Sequence, residues 1–157
     1  MITKNLNTLN YKILKNNILA KFNEYKIEEV ENEVKIYRNS NNCDLEGILF
    51  EIKLDILNRK LHDAEIKLKN IYTKYEYNFE VNVLLGEVYY KNKNYYEAMR
   101  QFIICDVLDI SKHYQVEEMY NDILNNYIDE NQESILLEDV KNKFLNSDRA
   151  YVINYDG

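Results

Sequence analysis

Four apolar positions of this chain return at a spacing of 34 residues, and that return limits the folds open to it. Tyr95, Ala98, Phe102 and Cys105 step back by 34 onto Leu61, Ala64, Leu68 and Ile71, and again onto Ile27, Val30, Val34 and Tyr37. All twelve are apolar or aromatic, and their three- and four-residue steps place each set on one face of a helix. A looser series precedes each set: Leu14 and Ile18, Ile48 and Ile52, Asn82 and Gly86, then Val116 and Tyr120. A fixed period of this length marks a stack of helical hairpins, because one hairpin alone cannot bury its apolar face. The expected fold is all-α, with stacked antiparallel hairpins at residues 11–44, 45–78, 79–112 and 113–146 and a tail at 147–157, in a single domain.

The stretch from Phe79 to Ile110 carries the pattern most clearly. Val81, Leu84, Leu85, Val88 and Tyr89 form one stripe, Tyr95, Ala98, Phe102, Cys105 and Leu108 the other, and Lys91-Asn92-Lys93-Asn94 turns between them. A glycine inside a helix costs about 1 kcal/mol relative to alanine, so Gly86 implies close packing, expected here against Ala98. The chain has no Pro and only three Gly. It therefore lacks most of the punctuation of strands and tight turns, which favours helices joined by short Asn, Lys and Asp turns.

In chain order, the first helix is predicted from near Asn5 to Asn23, with Leu6, Leu9, Ile13 or Leu14, Ile18 and Phe22 on its inner side. Its partner spans Lys26 to Arg38, with Glu28, Glu29, Glu31 and Glu33 off the apolar stripe. Asn39-Ser40-Asn41-Asn42 reads as a break, and Asp44 as the cap of the next helix. Leu45 to about Asn58 and Leu61 to about Tyr75 follow, and Ser111 is the predicted cap of a helix bearing Val116 to Tyr127. The register then fails, since Ile135, Leu136, Val140 and Phe144 make their own stripe in a helix from about Asn131 to Leu145.

At 157 residues with 46% hydrophobic and 30% charged residues, the chain is long enough to bury a core. No apolar run is long enough for a membrane span, and the start lacks a secretory signal, so a cytoplasmic location is expected. Cys43 and Cys105 are expected as reduced thiols. A net charge of −7 argues against nucleic acid. Residues 1–26 hold five lysines against only Glu24, a net of +4 that leaves −11 for the remainder. Self-association through that basic first helix is one consequence to expect.

Chemistry-bearing patterns are sparse. His62 and His113 have no zinc-like Cys/His spacing, and the scattered glycines form no phosphate loop. Ser40, Ser111, Ser134 and Ser147 lack the setting of a nucleophile elbow. No catalytic residue, cofactor or metal ion is expected.

Leu85-Gly86, Tyr89, Ala98 and Phe102, with a small residue at Cys105, resemble the tetratricopeptide repeat (TPR). The match is best for 79–112, fair for 45–78 and carried by register in 11–44 and 113–146. Asn82 replaces the family's usual aromatic, Ile110 its closing proline, and Ile18 and Ile52 the small residue of its first helix. The resemblance implies a right-handed superhelix and a non-catalytic scaffold that binds a protein or peptide segment. An alternative is a non-catalytic appendage of a larger multidomain enzyme such as a transferase. Groove-facing candidates carried over from the resemblance include Lys15, Lys53, Glu80, Glu87, Tyr90, Tyr114, Glu117 and Asn121. Leu19, Phe50, Glu80 and Leu84 stand where a carboxylate clamp would need polar or basic groups, which argues against one. The acidic and aromatic character of Glu80, Glu87, Tyr90, Tyr114 and Glu117 suits a basic segment instead.

Overall fold

The computed structural model describes residues 2–40 and 44–146, with side chains from Tyr11 onward. The expectations for Leu6, Leu9, Cys43 and the tail at 147–157 lie outside those described residues. Eight α-helices and one 3₁₀ helix make up the described chain, with no strand among the described residues. The helices are α1 (Ile2–Asn23), α2 (Ile27–Ser40), α3 (Leu45–Leu57), α4 (Leu61–Tyr75), α5 (Phe79–Lys91), α6 (Tyr95–Leu108), α7 (Glu117–Asn126) and α8 (Glu130–Leu145), with the 3₁₀ helix at Ile110–Gln115. No helix among the described residues is long and apolar enough to cross a membrane. The chain divides into two compact units, residues 1–64 and 65–157, with the division inside α4.

The 34-residue spacing is visible in the backbone as well as in burial. Among the described residues, Tyr25, Arg59 and Lys93 are the non-glycine residues in the left-handed region, at φ 58°, 61° and 64°, and they are spaced by 34. Each donates its N–H three residues back, to Phe22, Ile56 and Tyr90 at 3.0–3.2 Å. The next residue reaches five back, from Lys26 to Lys21, Lys60 to Asp55 and Asn94 to Tyr89, at 2.7–3.1 Å. This pair of bonds is the Schellman motif, which satisfies helix-end carbonyls through one left-handed residue. Of the twelve recurring positions none is exposed, and the inner pairs Val30 and Val34, Ala64 and Leu68, Ala98 and Phe102 are all buried.

In the first unit, α1 packs on α2 and α2 on α3. Its core joins Ile18, Val30, Val34, Tyr37, Phe50 and Leu54. Asp44 caps α3 as expected, accepting from the Glu46 N–H at 2.8 Å and from the Tyr37 hydroxyl at 2.6 Å. The expected break at Asn39-Ser40 is instead helical, and the Ser40 hydroxyl donates to the Ile36 carbonyl one turn back.

In the second unit, α5 packs on α6, and α6 on α7 and α8. Its core joins Ala98, Met99, Phe102, Ile103 and Ile104 of α6 to Val116, Ile123, Ile128, Leu136, Val140 and Phe144. Gly86 faces the Phe102 ring rather than Ala98: a Cβ built on Gly86 would lie 2.4 Å from Phe102 Cε1. Asn82 is fully buried, and its amide donates to the Glu76 and Asn78 carbonyls at 2.9 and 2.8 Å while its oxygen accepts from the Tyr72 hydroxyl. An amide thus closes the α4–α5 connection.

The fourth hairpin departs from the expectation. Asp109 caps the 3₁₀ helix by accepting from the Ser111 N–H, so Ser111 is not the cap of α7. Val116 leads into α7 without a side-chain cap, and Tyr127, at φ −128°, does not repeat the left-handed turn. Asp129 and Gln132 then form a reciprocal capping box that starts α8. Leu136, Val140 and Phe144 are buried as expected, but Ile135 is exposed, because it is turned about 100° round α8 from Leu136 and away from the i, i+4, i+8 stripe.

Candidate binding surface

The first unit holds two of the candidates. Lys15 on α1 reaches Glu46 on α3 at 2.6 Å, an ion pair between half-exposed groups. Lys53 lies over the Phe50 ring, 6.0 Å from its centroid. Within the same unit Lys21 of α1 pairs with Glu33 and Glu29, and Lys26, just after α1, pairs with Glu24. The Glu33 carboxylate is the main reason the Lys21 ammonium is held above its ordinary value.

The remaining six candidates lie in the second unit. Glu80 and Glu87 stand two turns apart on α5, Glu80 exposed and Glu87 half-buried with Lys91 at 3.2 Å. Glu117 and Asn121 are exposed on α7. Tyr114 belongs to the 3₁₀ helix rather than to a first helix, and 71% of its surface is exposed.

Tyr90 is engaged with the protein itself. Its hydroxyl donates to Asp122 on α7 at 2.5 Å, and its ring meets Tyr95 edge to face at 5.9 Å. The bond to the Asp122 carboxylate pushes the Tyr90 phenol up to about 12, with burial adding to it. Tyr95 in turn stacks on Tyr127 with centroids 3.6 Å apart. Three tyrosines and Asp122 therefore tie α5, α6 and α7 together, a cluster that sequence reasoning missed because Tyr90 and Asp122 are 32 residues apart.

A second overlooked group surrounds His113. Its Nδ1 lies 2.7 Å from Asp106 Oδ1, and its ring meets Tyr120 edge to face at 5.2 Å. The Tyr120 hydroxyl donates to Glu133 on α8 at 2.6 Å. Burial raises the Asp106 carboxyl above its ordinary value, against the opposing pull of His113. The arrangement fastens the 3₁₀ helix to α6. Cys105 is buried with its thiol donating toward the Phe79 carbonyl at 3.9 Å, and burial pushes its ionisation up, which leaves it unreactive. Among the described residues no group of His, Cys, Asp and Glu is placed to hold a metal ion. Comparison with family models, with curated proteins and with solved structures finds no match to this chain.

Proposed function

We propose that the chain is a TPR-like, non-catalytic scaffold that binds a basic protein or peptide segment. The supporting observation is the 34-residue return, through three hairpin turns, of a left-handed residue and a buried pair of positions. Repeats of this kind present side chains of successive first helices along one surface, which suits an extended or helical segment better than a small substrate. On this reading the surface in the second unit draws Glu80 and Glu87 from α5 and Glu117 from α7, and the exposed Tyr114 of the 3₁₀ helix is its aromatic anchor. Opposite charge speeds encounter, and a lysine or arginine over a tyrosine face adds about 0.5–2 kcal/mol.

The test is a labelled Lys/Arg-rich peptide with one aromatic or aliphatic anchor, titrated by fluorescence anisotropy at low and moderate salt. Replacing Glu80, Glu87 and Glu117 together with Gln should weaken binding and flatten its salt dependence while helix content stays unchanged. Equal affinity with the same salt slope would refute the acidic surface.

A further inference from the structure

The 3₁₀ helix Ile110–Gln115 connects α6 to α7 and packs on both, yet none of its residues is buried. Ile110, Ser111, Lys112, Tyr114 and Gln115 are exposed, and His113 is the one half-buried residue of the six. A segment without apolar anchors is held by what its polar side chains reach. The His113 side chain is 30% exposed, and its Nδ1 lies 2.7 Å from Oδ1 of Asp106 on α6, a side chain 21% exposed. On its other side the ring meets Tyr120 of α7 edge to face. A single titratable side chain therefore touches both neighbours of this strap.

The groups around His113 favour its charged form. Asp106 is its direct partner on α6, and Tyr120 on α7 is bonded in turn to the Glu133 carboxylate of α8. Lys112, the adjacent cation, is engaged by Asp109 at 3.7 Å and lies over the Phe79 ring at 5.3 Å, while Glu117 and Glu118 are exposed at the start of α7. A protonated imidazole adds the attraction of an ion pair to its bond with Asp106, between groups that water screens only in part. A neutral imidazole keeps one hydrogen on either nitrogen, so the bond survives in one tautomer and the carboxylate loses its counter-charge. The held strap thus prefers the protonated ring: its stability is full while His113 carries the proton and falls as pH rises through the titration of that ring.

We propose that His113 is a proton-operated catch: charged, it fastens the Ile110–Gln115 strap to Asp106, and neutral, it lets the strap, with Tyr114 on it, open locally while the helices around it stay packed. The device is separate from the peptide-binding reading, because the strap is measured with no ligand present.

Amide hydrogen exchange of the full chain, followed by NMR, tests it. The strap's own bonds run from the Lys112 N–H to the Asp109 carbonyl at 3.1 Å and from the Val116 N–H to the His113 carbonyl at 2.9 Å. The protection factors of these two amides, which remove the intrinsic pH dependence of exchange, should fall about fivefold between about pH 5.5 and about pH 7.5, while those of α5 hold steady. His113→Gln keeps a donor for Asp106 at every pH, and Asp106→Asn keeps an acceptor without the charge, so both should give strap protection that is flat over this range. Circular dichroism checks that each variant keeps its helix content, and Asp106→Asn decides the matter if His113→Gln loses it. Strap protection in wild type that does not change with pH, the same fall in the variants, or an equal fall in α5 would each overturn the proposal.

Discussion

At the scale of single residues, Gly86 is defined by what a side chain there would strike. A methyl group would enter the Phe102 ring, with atoms at 2.4, 2.8 and 3.1 Å, and that ring is itself fully buried. Gly86→Ala gains about 1 kcal/mol of helix propensity, yet overpacking of about 1–3 kcal/mol opposes it, so urea unfolding should show a net loss. An unchanged or raised midpoint would mean that Phe102 moves aside freely. Asp106 makes a prediction about pH. Its folded carboxyl is raised above 3.8 by burial, so the folded state holds that proton more tightly than the unfolded chain. Its contribution is full below 3.8 and is lost as pH rises through the folded value. Asp106→Asn, which keeps an acceptor for His113, should remove that decline from the stability profile just above 3.8; parallel profiles for the two proteins would refute it.

At the scale of elements, the hairpin turns place side chains where glycine is the natural choice. A left-handed backbone costs a non-glycine residue about 1–2 kcal/mol, so Arg59→Gly and Lys93→Gly should each raise stability by about 1 kcal/mol. Tyr127→Gly should instead lower it, because φ there is negative and the stack on Tyr95 is lost. Thermal melts of the three variants check the contrast. These turns also explain how much of the fold was legible from residues alone. Helices α4, α5 and α6 follow their apolar stripes closely, because each is bounded by polar turn residues and buries three- and four-residue steps. The 3₁₀ helix was not legible: Ile110 to Gln115 has no apolar period, and its cap is Asp109 rather than Ser111. The candidate surface was legible only as positions on helices. That Tyr90 spends its hydroxyl on Asp122, and that Lys15 meets Glu46, are long-range pairings that local spacing does not encode.

For the whole molecule, charge is divided as unevenly as structure is regular. The first unit is neutral by count and the second carries the entire net charge of −7. Like charges held close destabilise a compact state and salt screens them. Added salt should therefore slow amide exchange in the second unit more than in the first, and equal slowing in both would contradict this assignment. The regular turns have a consequence for the gene as well. Arg59 and Lys93 share one backbone state, so the residues from Lys60 to Lys93 form a cassette whose two junctions match. An in-frame duplication of that cassette would enter and leave through the same left-handed turn, adding one second helix and one first helix without asking the chain for a new joint.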